Sequence, residues 1–265
     1  MKRVLLWLLT GFLAFDTYGQ QRFQLYAPDS SLHLEINLSG KISYRLFSGG
    51  DLLVAGDSID LLLADGQRLS NRATVSKKQF TAVRETVEAT LPYRRKKLHN
   101  HYNQLQLQFR RPFSIEFRLY NNGMAYRIGT RFPDSIRVAE ESAPFDIDTS
   151  ARMLYGHLTP RNDADRFHTS FEAQYGWDRL GAVADTSFSF APITLLLPNG
   201  YQLAVSDANL FDYPGMFLQR SATGLKGLFA PLPLEKKRVG TEFPQDIVTR
   251  RAPELAHTSG QRFFP

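Results

Sequence analysis

Leu32-His33-Leu34-Glu35-Ile36-Asn37-Leu38 decides the fold, because every second residue in this stretch is a large aliphatic one. Successive side chains of a β-strand point to opposite faces, so a period of two predicts a strand with one buried and one solvated face. Such half-buried strands are typical of antiparallel sheets. The same alternation recurs in three other sets: Ile59, Leu61 and Leu63; Leu105, Leu107 and Phe109; and Ile115, Phe117 and Leu119.

Turn signals lie beside these segments. Asp65-Gly66, Asn199-Gly200 and Asn121-Asn122-Gly123 are sequences that favour tight connections between strands. No segment shows a long 3.6-residue period, and no internal repeat stands out. We therefore predict an all-β protein, an antiparallel β-super-sandwich of two large sheets packed face to face.

The first residues have the three parts of an export signal. Lys2 and Arg3 precede an apolar run from Val4 to Phe15, and Gly19 provides a small residue for cleavage. The run is shorter than the roughly 20 residues that span a bilayer, and the chain has no cysteine to carry a lipid. We expect residues 1–19 to be a signal peptide and residues 20–265 to form one periplasmic or secreted domain without a membrane anchor.

Composition limits the classes of partner. The chain has a formal net charge of +6, and its one dense basic cluster, Arg94-Arg95-Lys96-Lys97, precedes a predicted strand in what we expect to be a solvated loop. A nucleic-acid surface would interleave basic residues with stacking aromatics. We therefore predict no nucleic-acid partner. Without cysteines, stability must come from the core and not from disulfides.

Common catalytic motifs are absent from the sequence. It contains no Gly-x-Ser-x-Gly elbow, no phosphate-binding loop and no His-Glu-x-x-His zinc motif. The segment from Met153 to Leu180 is the least strand-like and collects polar and aromatic residues. Its composition favours a solvated surface loop, and the alternative is a sugar-facing edge of the β scaffold.

Short motifs that occur in a fixed order give the chain a specific resemblance. They are Asn100-His101-Tyr102-Asn103, Phe117 to Arg127, Thr169-Ser170-Phe171-Glu172, Asp207 to Met216, and Arg251-Ala252-Pro253 with Thr258-Ser259-Gly260. Together they resemble the N-terminal domain of glycoside hydrolase family 97, over nearly the whole expected mature chain.

The resemblance implies a function that this chain would share with another domain. Members of the family are exo-acting α-glucosidases or α-galactosidases, in which a β-super-sandwich precedes a (β/α)8 barrel. The barrel carries the catalytic carboxylates and most ligands of a calcium ion. We therefore expect the chain to contain no catalytic residue, to lack the barrel that is its partner in cis, and to serve an α-linked oligosaccharide substrate.

The resemblance also assigns candidate site residues. Glu172 occupies the position of the one calcium ligand that the sandwich contributes. Tyr175 and Trp177 lie close to Glu172 in the sequence, and for that reason they are the candidates for stacking on a sugar ring. Calcium takes about six to eight oxygen ligands, so one carboxylate would complete a shell built mainly by the barrel. Two other functions stay open: a stand-alone secreted carbohydrate-binding module, and an envelope protein with a structural role.

Overall fold

The computed structural model describes residues 20–71, 73–91, 94–158, 165–170, 172 and 174–265. The expected signal peptide, residues 1–19, lies outside the described residues. Within the described ranges, no helix combines the length and the hydropathy needed to cross a bilayer.

The described chain is built almost wholly of strands, with one short 3-10 helix at Leu180–Ala182. The first ten strands are β1 Gln21–Tyr26, β2 Leu32–Leu38, β3 Ile42–Ser48, β4 Asp51–Leu63, β5 Val75–Glu88, β6 Lys97–Phe109, β7 Phe113–Tyr120, β8 Gly123–Arg131, β9 Ile136–Ser142 and β10 Pro144–Asp146. The later strands are β11 Arg152–Leu158, β12 Tyr175–Arg179, β13 Phe188–Phe190, β14 Ile193–Leu196, β15 Gln202–Val205, β16 Met216–Ser221, β17 Gly224–Phe229, β18 Pro233–Val239, β19 Gln245–Arg251, β20 Ala256–Thr258 and β21 Gln261–Phe263.

These strands form two packed sheets and a separate two-stranded ribbon. The larger sheet has 14 strands and follows the order β1-β2-β3-β4-β10-β17-β16-β13-β11-β14-β15, with β12 added at β11 and β9 joining β4 to β20. The smaller sheet has the order β21-β8-β7-β6-β5, and β18 and β19 form the ribbon. The prediction of an all-β, antiparallel super-sandwich is confirmed, and the second sheet is much the smaller of the two.

The core lies between the two sheets and follows the period-two pattern of the sequence. Leu34 and Ile36 of β2 are buried, as are Leu105 of β6 and Phe117 of β7. The Tyr126 ring packs against both sides of this core, 6.0 Å from the Tyr44 ring and 6.1 Å from the Phe117 ring. The apolar members of the alternating pattern therefore form the faces along which the two sheets pack.

Strand β4 is shared between the parts of the larger sheet. It pairs with β3 along most of its length, with β9 from Asp60 onward, and with β10 at Ala55. Gly56 is required here, because a Cβ atom on it would lie 2.1 Å from the Tyr44 ring. The Tyr44 hydroxyl donates to the Pro144 carbonyl oxygen at 3.0 Å and so ties β3 to the start of β10.

The predicted turns are confirmed. Gly66 and Gly200 have φ angles of 86° and 87°, in the left-handed region that favours glycine, and Asn121-Asn122 joins β7 to β8. In the basic cluster, Arg94 to Lys96 are exposed in the connection between β5 and β6, whereas Lys97 is the first residue of β6.

The structure corrects the prediction for Met153 to Leu180. Strand β11 occupies the beginning of this segment and β12 lies near its end, so only the part between them is irregular where the structure describes it. Both strands were missed because their outward residues are large and their inward residues include glycine, which weakens the alternation.

Truncating a core ring should be far more costly than truncating an exposed one. We expect Phe117→Ala to lower the free energy of unfolding by about 3–5 kcal/mol, because its ring is fully buried and leaves a cavity. Phe80→Ala, in β5 of the same sheet and 54% exposed, is the matched control and should cost less than about 1 kcal/mol. Urea denaturation measures both, and equal losses would contradict this account of the core.

Candidate functional site

The two aromatic candidates share one face of the edge strand β12. In the antiparallel register with β11, Trp177 lies opposite Leu154 and Tyr175 opposite Gly156. The side chains of alternate residues point to the same face, so both rings project from one side of the sheet. Trp177 is 40% exposed and Tyr175 56% exposed, so a ligand can reach both.

A cation holds the indole ring in place. The Arg152 guanidinium carbon lies 4.6 Å from the centre of the Trp177 ring, within the range of a cation–π contact. Arg179 is the cross-strand neighbour of Arg152, so positive charge flanks the ring. The strand edge therefore combines an ordered aromatic surface with cationic hydrogen-bond donors.

Phe190 connects these aromatic residues to a pocket. Its ring lies 5.9 Å from the Tyr175 ring at a near-perpendicular angle. It also covers Gly156 so closely that a Cβ atom there would come within 2.4 Å of the Phe190 ring. Gly156 is thus needed for the close approach, and Phe190 lines the pocket on the other side.

The pocket has a volume of about 640 Å³ and brings together segments that are distant in sequence. Asp207 to Met216 form one wall, and Arg251 to His257 contribute to another. The Met216 amide donates to Asp207 Oδ2 at 2.6 Å, which closes the loop between them. Two of the motifs that carry the family resemblance therefore meet at one apolar pocket.

A half-buried acid lies behind this pocket wall. The Tyr213 hydroxyl donates to Glu141 Oε2 at 2.6 Å. The pKa of Glu141 is raised to about 7, chiefly by burial; the Tyr213 hydrogen bond opposes this shift, and the nearby Asp207 charge adds to it. Glu141 and Tyr213 thus fix the pocket loop to β9 through one short, protonation-sensitive contact.

A bidentate ion pair anchors the segment that precedes Glu172. Arg251 Nε and Nη2 donate to the two carboxylate oxygens of Asp165 at 3.0 and 2.7 Å, and Arg251 Nη1 donates to the Pro231 carbonyl at 2.7 Å. Burial raises the pKa of Asp165, but the Arg251 hydrogen bond and the Phe167 amide outweigh it, so the pKa lies below its ordinary value. The Phe167 ring packs between Arg251 and the Phe217 ring.

Glu172 is exposed, and its backbone amide donates to Ser170 Oγ at 3.3 Å. Among the described residues its carboxylate forms no ion pair, and no group of three or more His, Asp or Glu side chains is arranged to hold a metal. A calcium ion takes about six to eight oxygen ligands, so the Glu172 carboxylate would not be sufficient by itself to hold one. Phe171, the preceding residue of the motif, lies outside the described residues.

Sequence reasoning missed the residues that support the site. Asp165 and Arg251 are 86 residues apart, and Glu141 and Tyr213 are 72 apart, so no local spacing reveals either pair. Phe190 stands in a short apolar strand that gives no sign of its contact with Tyr175. The motifs around Tyr213 and Arg251 were visible, but their partners were not.

The fold and the site define a class of protein, a large antiparallel β-sandwich domain that has an exposed aromatic strand beside an apolar pocket. The chain belongs to glycoside hydrolase family 97: the family model described as "Glycosyl-hydrolase 97 N-terminal" matches residues 25–253. The resemblance seen in the sequence is thereby confirmed.

Individual relatives agree with this assignment. The chain is 27% identical over 270 residues to a retaining alpha-galactosidase of Bacteroides thetaiotaomicron, covering 100% of this chain and 41% of that protein. A family 97 enzyme from Pseudoalteromonas sp. strain K8, solved in complex with acarbose, aligns with a TM-score of 0.72 at 15% identity over 92% of this chain and 34% of that one. A beta-arabinopyranosidase aligns with a TM-score of 0.65 at 18% identity, over 77% of this chain and 35% of that one.

The chain therefore spans less than half the length of the relatives that it matches.

The protonation of Glu141 should make stability depend on pH. Its folded pKa of about 7 lies above the ordinary value of 4.5, so the folded protein holds the proton more tightly and stability falls as the pH rises from about 4.5 to 7. We expect a loss on the order of 1–3 kcal/mol across that window, measured by urea denaturation. Glu141→Gln should largely remove this slope, and an unchanged slope in the variant would contradict the assignment.

Breaking the ion pair should loosen the segment that leads to Glu172. Asp165→Asn removes the charge that faces Arg251, and we expect a loss of about 2–3 kcal/mol with faster amide hydrogen exchange at Phe167. Glu235→Gln, which removes the partner of Arg250 in an exposed bidentate pair, is the control and should change neither quantity measurably. Unchanged exchange at Phe167 in Asp165→Asn would contradict the anchoring role.

Proposed function

We propose that this chain is the non-catalytic N-terminal domain of an exo-acting, calcium-dependent α-glycosidase, with an α-galactosidase as the first candidate and an α-glucosidase as the second. The observation that carries the proposal is the similarity to a retaining alpha-galactosidase along the entire chain. Catalysis would reside in a separate domain of the full-length enzyme, and this chain would shape the approach to the substrate. The expected signal peptide supports a periplasmic or secreted location.

In this proposal Glu172 is the calcium ligand that the sandwich supplies. Three observations support it: the carboxylate is exposed, it forms no ion pair among the described residues, and the segment before it is anchored by Asp165 and Arg251. A bound calcium ion would supply positive charge that stabilises negative charge developing on oxygen. The contribution of this chain is to hold one oxygen ligand in place.

Tyr175 and Trp177 are proposed to contact the α-linked oligosaccharide. Aromatic rings offer an apolar surface to the C–H face of a sugar, while the flanking Arg152 can donate to its hydroxyl groups. The contact between Tyr175 and Phe190 makes this surface continuous with the pocket wall. An ordered aromatic edge of this kind favours recognition of a ring over recognition of a flexible chain.

The same side of the molecule offers a surface for the catalytic domain. Leu210 and Phe211 are exposed on the pocket loop, Phe211 by 72%, and Arg262 Nη2 donates to the Phe211 carbonyl at 2.8 Å. Exposed apolar patches of this kind commonly mark interaction sites. We therefore propose that the barrel packs in cis against the pocket loop and strand β21.

The calcium role can be tested in the enzyme that carries this domain together with its catalytic domain. Glu172→Gln should weaken calcium binding at least about tenfold in isothermal titration, because it removes a charged ligand at nearly constant size. Hydrolysis of p-nitrophenyl α-galactoside and α-glucoside should fall in parallel and recover in part with excess calcium. Glu242→Gln, at another exposed glutamate, is the matched control.

Three results would count against the proposal. Calcium binding that is equal in Glu172→Gln and the wild type would remove Glu172 from the metal site. Tight calcium binding by the isolated 265-residue chain would indicate a complete site within this domain. A sugar affinity of the isolated chain that is lost in Trp177→Ala would favour the stand-alone binding module.

A further inference from the structure

A second pocket lies at the opposite end of the larger sheet, on β2 and β3, whereas the candidate site above is built on β11 to β13. It has a volume of about 400 Å³. Its lining residues are Ser30, Ser31, His33, Glu35, Phe47, Gly49 and Gly50. None of them belongs to the site that the family assignment accounts for.

An aromatic row crosses the three strands at this pocket. Tyr26 pairs with His33 in the register of β1 and β2, and His33 pairs with Phe47 in the register of β2 and β3. The ring centres of Tyr26 and His33 are 4.8 Å apart and those of His33 and Phe47 are 5.6 Å apart, with the rings nearly parallel in both pairs. The His33 imidazole is therefore held in one orientation from both sides.

That fixed imidazole carries an unsatisfied nitrogen. His33 Nε2 is shielded from solvent, and it has no hydrogen-bond partner among the described residues. A buried polar atom without a partner is destabilising relative to a bonded one, so such an atom calls for an explanation. Its position on the pocket wall offers one, because a bound ligand could supply the missing partner.

Glu35 restricts which chemical group can serve as the missing hydrogen-bond partner of His33 Nε2. Its Oε1 atom lies 4.0 Å from His33 Nε2, too far for a direct hydrogen bond but suitable for one oxygen that bridges both. A hydroxyl group can accept from the imidazole N–H and donate to the carboxylate at the same time. An ether or carbonyl oxygen can only accept, and an ammonium group can only donate, so this arrangement favours a hydroxyl.

The surroundings favour a neutral ligand with an apolar face. Arg45 is the cross-strand partner of Glu35, so its charge offsets the carboxylate, and its guanidinium carbon lies 5.1 Å from the Phe47 ring. The turn at Gly49 and Gly50 leaves open space where other residues would carry a side chain. Phe47 adds an aromatic wall beside the polar pair.

We propose that this pocket binds one neutral sugar residue, with a single hydroxyl bridging His33 and Glu35 and the ring resting against Phe47. The site is separate from Glu172, Tyr175 and Trp177, and it does not depend on calcium or on a catalytic domain. In an enzyme that acts on oligosaccharides it would keep the substrate close to the protein between catalytic events.

The isolated 265-residue chain allows a direct test. Saturation-transfer difference NMR and titration of backbone amide shifts would be recorded with maltotriose and with methyl α-galactopyranoside, and tetraethylene glycol dimethyl ether would serve as the probe without hydroxyl groups. We expect saturable sugar binding that shifts the amides of Ser31, His33 and Gly49, and no such shifts with the dimethyl ether.

Matched variants separate binding from folding. His33→Phe keeps the aromatic row and removes the nitrogen, and Glu35→Gln keeps the size and removes the charge. Each should weaken binding at least about tenfold while the melting temperature stays within a few degrees of the wild type. Trp177→Ala and Glu172→Gln should leave binding at this pocket unchanged.

Several outcomes would overturn the proposal. The absence of saturable shifts at Ser31, His33 and Gly49 with both sugars would be one, and binding that persists in both pocket variants would be another. Binding that disappears in Trp177→Ala would assign the sugar to the β12 face instead. Failure of the calcium test described above would leave this proposal intact, because neither pocket variant touches that site.

Discussion

The structure depends on the packing of two apolar sheet faces against each other. Leu34 and Ile36 of the larger sheet and Leu105 and Phe117 of the smaller one are buried in a single core. The sequence contains no cysteine, so no covalent link supports this contact. Each segment that carries a candidate functional residue is attached, directly or through a neighbouring strand, to one of these two faces.

Side-chain contacts then place the irregular segments on this scaffold. The Asp165–Arg251 ion pair attaches the segment before Glu172 to the end of β19, and the Glu141–Tyr213 hydrogen bond attaches the pocket loop to β9. Both contacts are charge-dependent and partly shielded from water, where such interactions are stronger than at an open surface. The two sheets form the rigid scaffold, and these two pairs fix the orientation of the loops relative to it.

The sequence predicted the strands that have one wet face and failed where that pattern is weak. Strand β2 alternates strictly, because its even-numbered residues face the core and its odd-numbered ones face water. Strand β12 is an edge strand whose residues are nearly all accessible, so Tyr175 to Arg179 carry no hydrophobic period. The role proposed for Glu172 came from the family resemblance alone, and the aromatic row at Tyr26, His33 and Phe47 depends on register between strands, which the sequence does not reveal.

Strand β4 bears on how such a domain can change during evolution. It pairs with β3, β9 and β10. Gly56 within it cannot carry a side chain, because a Cβ atom there would clash with the Tyr44 ring. A gene rearrangement that divided the sandwich at this strand would leave exposed backbone edges on both products. We therefore expect the sandwich to be inherited as one unit, whereas side chains on its outer surfaces can change without breaking these pairings.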